Sequence, residues 1–89
     1  MKKGDIVSVV AQSGEYVGKY NGEKDGVLLI NDPRMLVATP DNEIGFARGV
    51  CMTGRENPTS AQFKNYVYVV PTSDDFASSY RQAVSGLIV

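Results

Sequence analysis

"VSVVAQSGEYVGKYNGEKDGVLLIND", residues 7–32, carries its apolar side chains in short runs divided by Gly, Ser, Asn and Asp, and those divisions set the fold class. Residues 5–11 alternate loosely and are rich in Val and Ile, which predicts a strand ended by Ser13 and Gly14. In "EYVGKY", Tyr16, Gly18 and Tyr20 share one parity while Glu15, Val17 and Lys19 share the other. That pattern predicts a second strand, joined to the first by a tight hairpin. A glycine inside it, Gly18, points to a sharp bend or bulge of the kind small barrels use to turn corners. "NGEKDG" (21–26) reads as a loop, because Asn-Gly and Asp-Gly both accept positive φ.

Downstream, "VLLIN", "DPR" and "MLVAT" give two β-prone runs broken at Asp32-Pro33. Proline has no amide hydrogen for a central ladder, so the pair is one strongly bent strand or two short ones. "PDNE" (40–43) is a turn, and "IGFARGVCM" (44–52) follows as a strand with Ile44, Phe46, Val50 and Met52 on one parity. Arg48 has that same parity, with Gly49 directly after it. Residues 53–62 are polar and hold Gly and Pro, so they read as a long surface loop. "NYVYVVP" (65–71) is the last strand and contains no charge.

The C-terminal stretch changes period. Phe76, Tyr80, Ala83, Val84 and Leu87 follow i, i+4, i+7, i+8 and i+11, one face of a helix over about 73–85. Thr72 or Ser73 caps its start, Asp74 and Asp75 suit the positive end of its dipole, and Gly86 stops it. The expected fold is therefore mainly β: a single domain over 1–89, built as a small, strongly bent antiparallel barrel of five or six strands with one C-terminal helix.

The chain has 89 residues, a net charge of −1 and no histidine. Without histidine it lacks the commonest general base and the commonest metal ligand, so neither catalysis nor a metal or other cofactor is expected. The lone cysteine, Cys51, excludes an internal disulfide and fits a reducing cytoplasm. It reads as a small apolar strand residue. No apolar run approaches the ~20 residues needed to cross a bilayer, and no membrane partner is expected. A near-neutral chain gives no general attraction to nucleic acid, so such binding would need charge concentrated locally.

Residues 7–32 resemble the first motif of Sm-like proteins, the Sm, LSm and Hfq group, with Gly14, Gly18, Asp25 and the Val27–Ile30 run in the family's order. "FARGVCM" is similar to the second motif, in which an Arg-Gly pair ends a strand. The two together cover roughly residues 4–52. The chain departs from the pattern in four places: the spacing from Gly14 to Gly18 is one residue shorter than the family's, Leu28 and Leu29 stand where the family has a base-contacting asparagine, the helix closes the chain rather than opening it, and ten polar residues follow Met52.

The resemblance implies a homo-oligomeric ring that binds single-stranded nucleic acid, RNA by preference, at loops facing a central hole. Arg48 and Gly49 would sit in one such loop, and Tyr20, Asn21, Lys24 and Asp25 in or beside the other. The uncharged "YVYVV" (66–70) supports self-association, since a bare β-prone edge is an aggregation hazard that pairing with a neighbouring copy removes. Two plainer readings stand beside this one. Arg48 is a strand-end arginine paired with a carboxylate, and the protein is a small β-barrel structural or interaction subunit with no nucleic-acid ligand. Tyr66 and Tyr68 read as half-buried packing residues in either case.

Overall fold

The computed structural model describes residues 1–85. Six antiparallel strands form one sheet: β1 (Ile6–Ala11), β2 (Gly14–Lys24), β3 (Val27–Ala38), β4 (Ile44–Phe46), β5 (Ser60–Phe63) and β6 (Tyr68–Pro71). One helix, α1 (Asp74–Ser85), follows. The strand order is β4-β3-β2-β1-β6, with β5 also paired to β3. The expected closure into a barrel is not formed, because β4 and β6 end the path without pairing to each other. β4 is only three residues long, and the chain leaves the sheet after Phe46.

Local chemistry explains the first three strands. β1 and β2 stay in register from Ile6↔Lys19 to Ala11↔Gly14. The β2–β3 hairpin closes on Asp25 and Gly26, with φ of 53° and 80° between the paired Lys24 and Val27. A two-residue loop with positive φ at both positions matches the twist of its flanking strands. The expected loop over 21–26 is thus confined to its last two residues. Asn21 and Gly22 belong to β2, as an irregularity where Tyr20↔Ile30 gives way to Glu23↔Leu28.

A second register shift separates Val17↔Arg34 from Lys19↔Asn31, so Gly18 opposes Asp32 and Pro33. Asp32 takes φ of 48°, and Pro33 sits where no ladder amide is needed. β3 is therefore one strand carrying an irregularity rather than two. Gly18 is required by space: a Cβ there would stand 2.2 Å from Ile30 Cγ2 and 3.0 Å from Asn31 O.

The sheet has two faces with different cover. Val7, Val9, Tyr16, Leu28 and Ile30 form the buried core on one face, with Met35, Val50, Phe63, Tyr66 and Val69 packed around them. The rings of Tyr16 and Phe63 meet edge to face at 5.0 Å. On the other face, α1 buries Ala77 and Tyr80. Tyr80 is wholly enclosed, stacks edge to face on Phe46 at 6.0 Å, and donates its hydroxyl to Asp32 O at 2.6 Å. Burial is the first cause that pushes the Tyr80 phenol up to about 12; the Asp32 charge adds to it and the Arg34 charge opposes it. The helix starts where the periodicity places it, but its buried face is shifted: Ala77 and Tyr80 are buried while Phe76 and Ala83 of the expected stripe are exposed, and the expected stop at Gly86 and the contact of Leu87 lie outside the described residues.

Four further sequence readings are corrected. The strand expected over 44–52 ends at Phe46, and residues 47–59 form an irregular excursion. Cys51 lies exposed in that excursion instead of in a strand. The polar segment 53–62, read as loop throughout, yields β5, which pairs Leu28↔Phe63 to Asn31↔Ser60. β4 and β5 thus flank successive halves of β3, with the excursion between them. The last strand is also shorter than "NYVYVVP": it starts at Tyr68, two residues after Tyr66.

Candidate functional site

Two ends of β3 carry the residues singled out from the sequence. At its first end, the Asp25-Gly26 turn projects beyond β2, β3 and β5, and Lys24, Asp25, Val27, Leu29 and Gln62 line an open depression of about 320 Å³. Lys64 follows Phe63, whose partner is Leu28, so it stands beside the hairpin. Asn65 next to it takes φ of 50°, and the chain turns there toward β6. Tyr66 donates its hydroxyl to the Glu23 carboxylate, tying the 64–66 turn to the hairpin. That hydrogen bond is the main reason the Tyr66 phenol titrates above its ordinary value. On the β1 side, the Lys3 Cε lies 3.6 Å from where a Gly22 Cβ would stand. Tyr20 is half-buried against the core, and its amide and carbonyl bond Asp5 O and Gly4 N.

This end gathers Lys3, Lys24 and Lys64 with Asn21 and Asn65, against Asp25 and a Glu23 already engaged by Tyr66. Lys64 and Asn65 were missed in the sequence. The signal was present: a basic residue followed by one tolerant of positive φ, at the close of a strand, the same arrangement that drew attention to Arg48-Gly49.

Arg48 and Gly49 lie at the other half of β3. Gly49 O accepts from Met35 N at 3.1 Å, and Met35 pairs with Tyr16 near the β1–β2 turn. The Arg48 side chain is 81% exposed and pairs with Glu56 at 3.1 Å. Arg48 O accepts from Asn57 N, which closes the neck of the excursion. The structure therefore sets Lys24 and Asp25 on one depression, with Tyr20 packed on the core and Asn21 in the irregularity of the same strand, and places Arg48 and Gly49 apart from all four. The plainer expectation for Arg48, a carboxylate partner at a strand end, is met by Glu56.

The excursion is held by few but specific bonds. Arg34 is buried and donates from Nη1 to Pro33 O (2.7 Å) and Pro58 O (3.2 Å), while Asp32 N donates to Thr59 O (2.9 Å). Along it, Met35, Ala47, Arg48, Gly49, Cys51, Met52, Gly54, Arg55 and Glu56 line an open cavity of about 380 Å³. No cluster of three or more His, Cys, Asp or Glu side chains suited to a metal occurs among the described residues. Among those residues, no helix is long and apolar enough to cross a membrane.

The outer strands supply a third feature. Among the described residues, β6 pairs with β1 on one side only, and β4 with β3 on one side only. Val67, Tyr68 and Val70 are exposed along the first edge and Ile44 along the second, with Val37 of β3 exposed beside it. Tyr68 is half exposed, unlike Tyr66, which packs on the core.

No protein-family model, no curated protein and no solved structure matches this chain.

Proposed function

We propose that the protein binds single-stranded nucleic acid, RNA by preference, as a homo-oligomer whose copies join edge to edge. The observation that carries this reading is the meeting of the 24–26 hairpin tip with the 64–66 turn through the Tyr66–Glu23 hydrogen bond, which sets Lys64 and Asn65 near an open depression lined by Lys24, Asp25, Val27, Leu29 and Gln62, with Asn21 on the adjoining irregularity of β2. Lysines there engage phosphate, and amide side chains on a bulge and a turn offer donors and acceptors to unpaired bases. Val27 and Leu29 give the depression an apolar floor for a base. One such cluster on a chain of net charge −1 is weak; repeated around an axis, it becomes a local positive field.

The bare edges of β4 and β6 support the repetition. Each offers unpaired backbone groups beside exposed apolar side chains, and pairing β4 of one copy to β6 of the next satisfies both. Such head-to-tail contacts close into a ring when the rotation between copies permits. Edge-to-edge assembly of this kind is what the Sm-like resemblance implies, although the sheet of each copy is open rather than closed into a barrel. Arg48 and Gly49 form a second contact region on the excursion.

Light scattering coupled to size exclusion, followed by fluorescence anisotropy with oligo-U and oligo-A at two salt concentrations, tests the reading. An oligomer whose affinity falls with salt and weakens in Lys24→Ala/Lys64→Ala supports it. A stable oligomer indifferent to both oligonucleotides at low salt replaces it with the structural-subunit reading.

A further inference from the structure

The cavity inside the excursion has a chemistry of its own. Its lining is soft and largely apolar: Met35 and Ala47 are half-buried, Met52 is fully exposed, and the Cys51 thiol lies along Gly54, where an added Cβ would stand 2.8 Å from Sγ. Two guanidiniums, Arg48 and Arg55, line it. Among the described residues the Arg55 side chain has no hydrogen bond or ion pair, and Arg48 has one partner, the exposed Glu56 carboxylate at 3.1 Å. At about 380 Å³ the space falls in the range of small-ligand sites, which join mostly apolar walls to a few placed polar groups.

We infer that this cavity binds a nucleoside monophosphate unit, its phosphate held by Arg48 and Arg55 and its base laid against the thioether walls. Two guanidiniums on one small volume favour a doubly charged phosphate monoester over a single carboxylate. Methionine sulfur and methyl groups suit a flat, polarizable ring better than an aliphatic chain of fixed shape. Glu56 is the built-in competitor: it occupies Arg48 when the cavity is empty and yields it to phosphate. The inference rests on the nucleic-acid reading for one of two sources of the ligand, the phosphorylated end of a strand. The other source is a free nucleotide.

Cys51 is the chain's single cysteine, is exposed, and lines the cavity, so its alkylation by iodoacetamide reports occupancy directly. Saturating AMP should slow alkylation, whereas adenosine or inorganic phosphate at the same concentration should not. Arg55→Ala should raise the AMP concentration needed by about tenfold or more. Glu56→Gln should lower it, an effect that a merely structural role for Glu56 would not produce. Both positions are exposed, and unchanged circular dichroism confirms the fold of each variant.

A 5′-phosphorylated oligo-U that protects Cys51 where the 5′-hydroxyl form does not assigns the site to strand ends. AMP protecting as well as the phosphorylated strand assigns it to the free nucleotide. Equal alkylation rates with AMP, with the phosphorylated strand and with neither overturn the inference. The Lys24→Ala/Lys64→Ala variant keeps the two readings apart. Protection by AMP should persist in it, and AMP protection in a protein that binds no unphosphorylated strand sinks the strand reading alone.

Discussion

Val27–Asn31 and Arg34–Ala38 are two halves of one strand, both paired to β2, yet their outward faces meet different surroundings. Over the second half lies α1, with Tyr80 enclosed against Phe46 and Asp32 and the Arg34 guanidinium tied to two proline carbonyls. Over the first half none of the described residues packs: Val27 and Leu29 are half-buried, and Lys24 and Gln62 rim an open depression. The inward face is buried in both halves, through Leu28 and Ile30 in one and the Met35 contact in the other. One half anchors the chain, and the other is stabilised from its inner side only, which leaves its outer side free to meet a ligand. The irregularity at Gly18 and Asp32-Pro33 marks the border.

Removing the anchor is the largest way to test this division. Tyr80→Ala empties a fully enclosed site and should cost roughly 3–5 kcal/mol, much of the stability of a domain this size. Denaturant unfolding read by circular dichroism measures it. Equal loss from truncating the half-buried Leu29 would erase the distinction between the two halves.

The same residue gives the second effect through pH. The folded Tyr80 phenol titrates at about 12 against 10.0 for an ordinary tyrosine, so the folded state favours the neutral form. The stability this contributes is complete below pH 10 and disappears as pH rises through 12, a loss of roughly 2–3 kcal/mol. Tyr80→Phe abolishes that pH dependence and, at neutral pH, costs about 1 kcal/mol for the hydrogen bond to Asp32 O. A pH-stability curve of equal steepness in Tyr80→Phe would assign the alkaline transition to another group.

Gly18→Ala attacks the border itself. Its new methyl would collide with Ile30 Cγ2 and Asn31 O, and the strain of overpacking should cost about 1–3 kcal/mol. Because Ile30 belongs to one half and Pro33 adjoins the other, the damage should spread to both, visible as faster amide exchange in Leu28–Ile30 and in Arg34–Leu36 alike.

How far these contrasts could be read beforehand depends on what set each element. The hairpin tip at Asp25-Gly26 and the helix from Asp74 follow from local chemistry, a pair of residues at ease with positive φ and a 3.6-residue apolar stripe. β5 does not. "SAQF" carries one strong β-former among four residues, and it becomes a strand because Leu28–Asn31 present it with a free edge. β4 fails in the opposite sense: Val50 and Met52 continue the alternation of Ile44 and Phe46, but Asn57, Pro58 and the Arg34 tether draw the chain away from the sheet. The candidate site was half legible for the same reason. Lys24 and Asp25 are adjacent in sequence to their turn, whereas Lys64 reaches them only through the β3–β5 pairing.

The smallest effect separates binding from folding. Lys24 and Lys64 are exposed and lie at the uncovered end, so replacing both by alanine should change unfolding free energy by no more than about 0.5 kcal/mol each. The same substitution should shallow the salt dependence of oligo-U binding by roughly one unit of log–log slope per lysine that meets phosphate. A structural role predicts the reverse, with stability falling and the salt slope of any residual binding unchanged. Measured side by side on one variant, the two readouts decide whether the bare half of β3 serves a ligand or only its own fold.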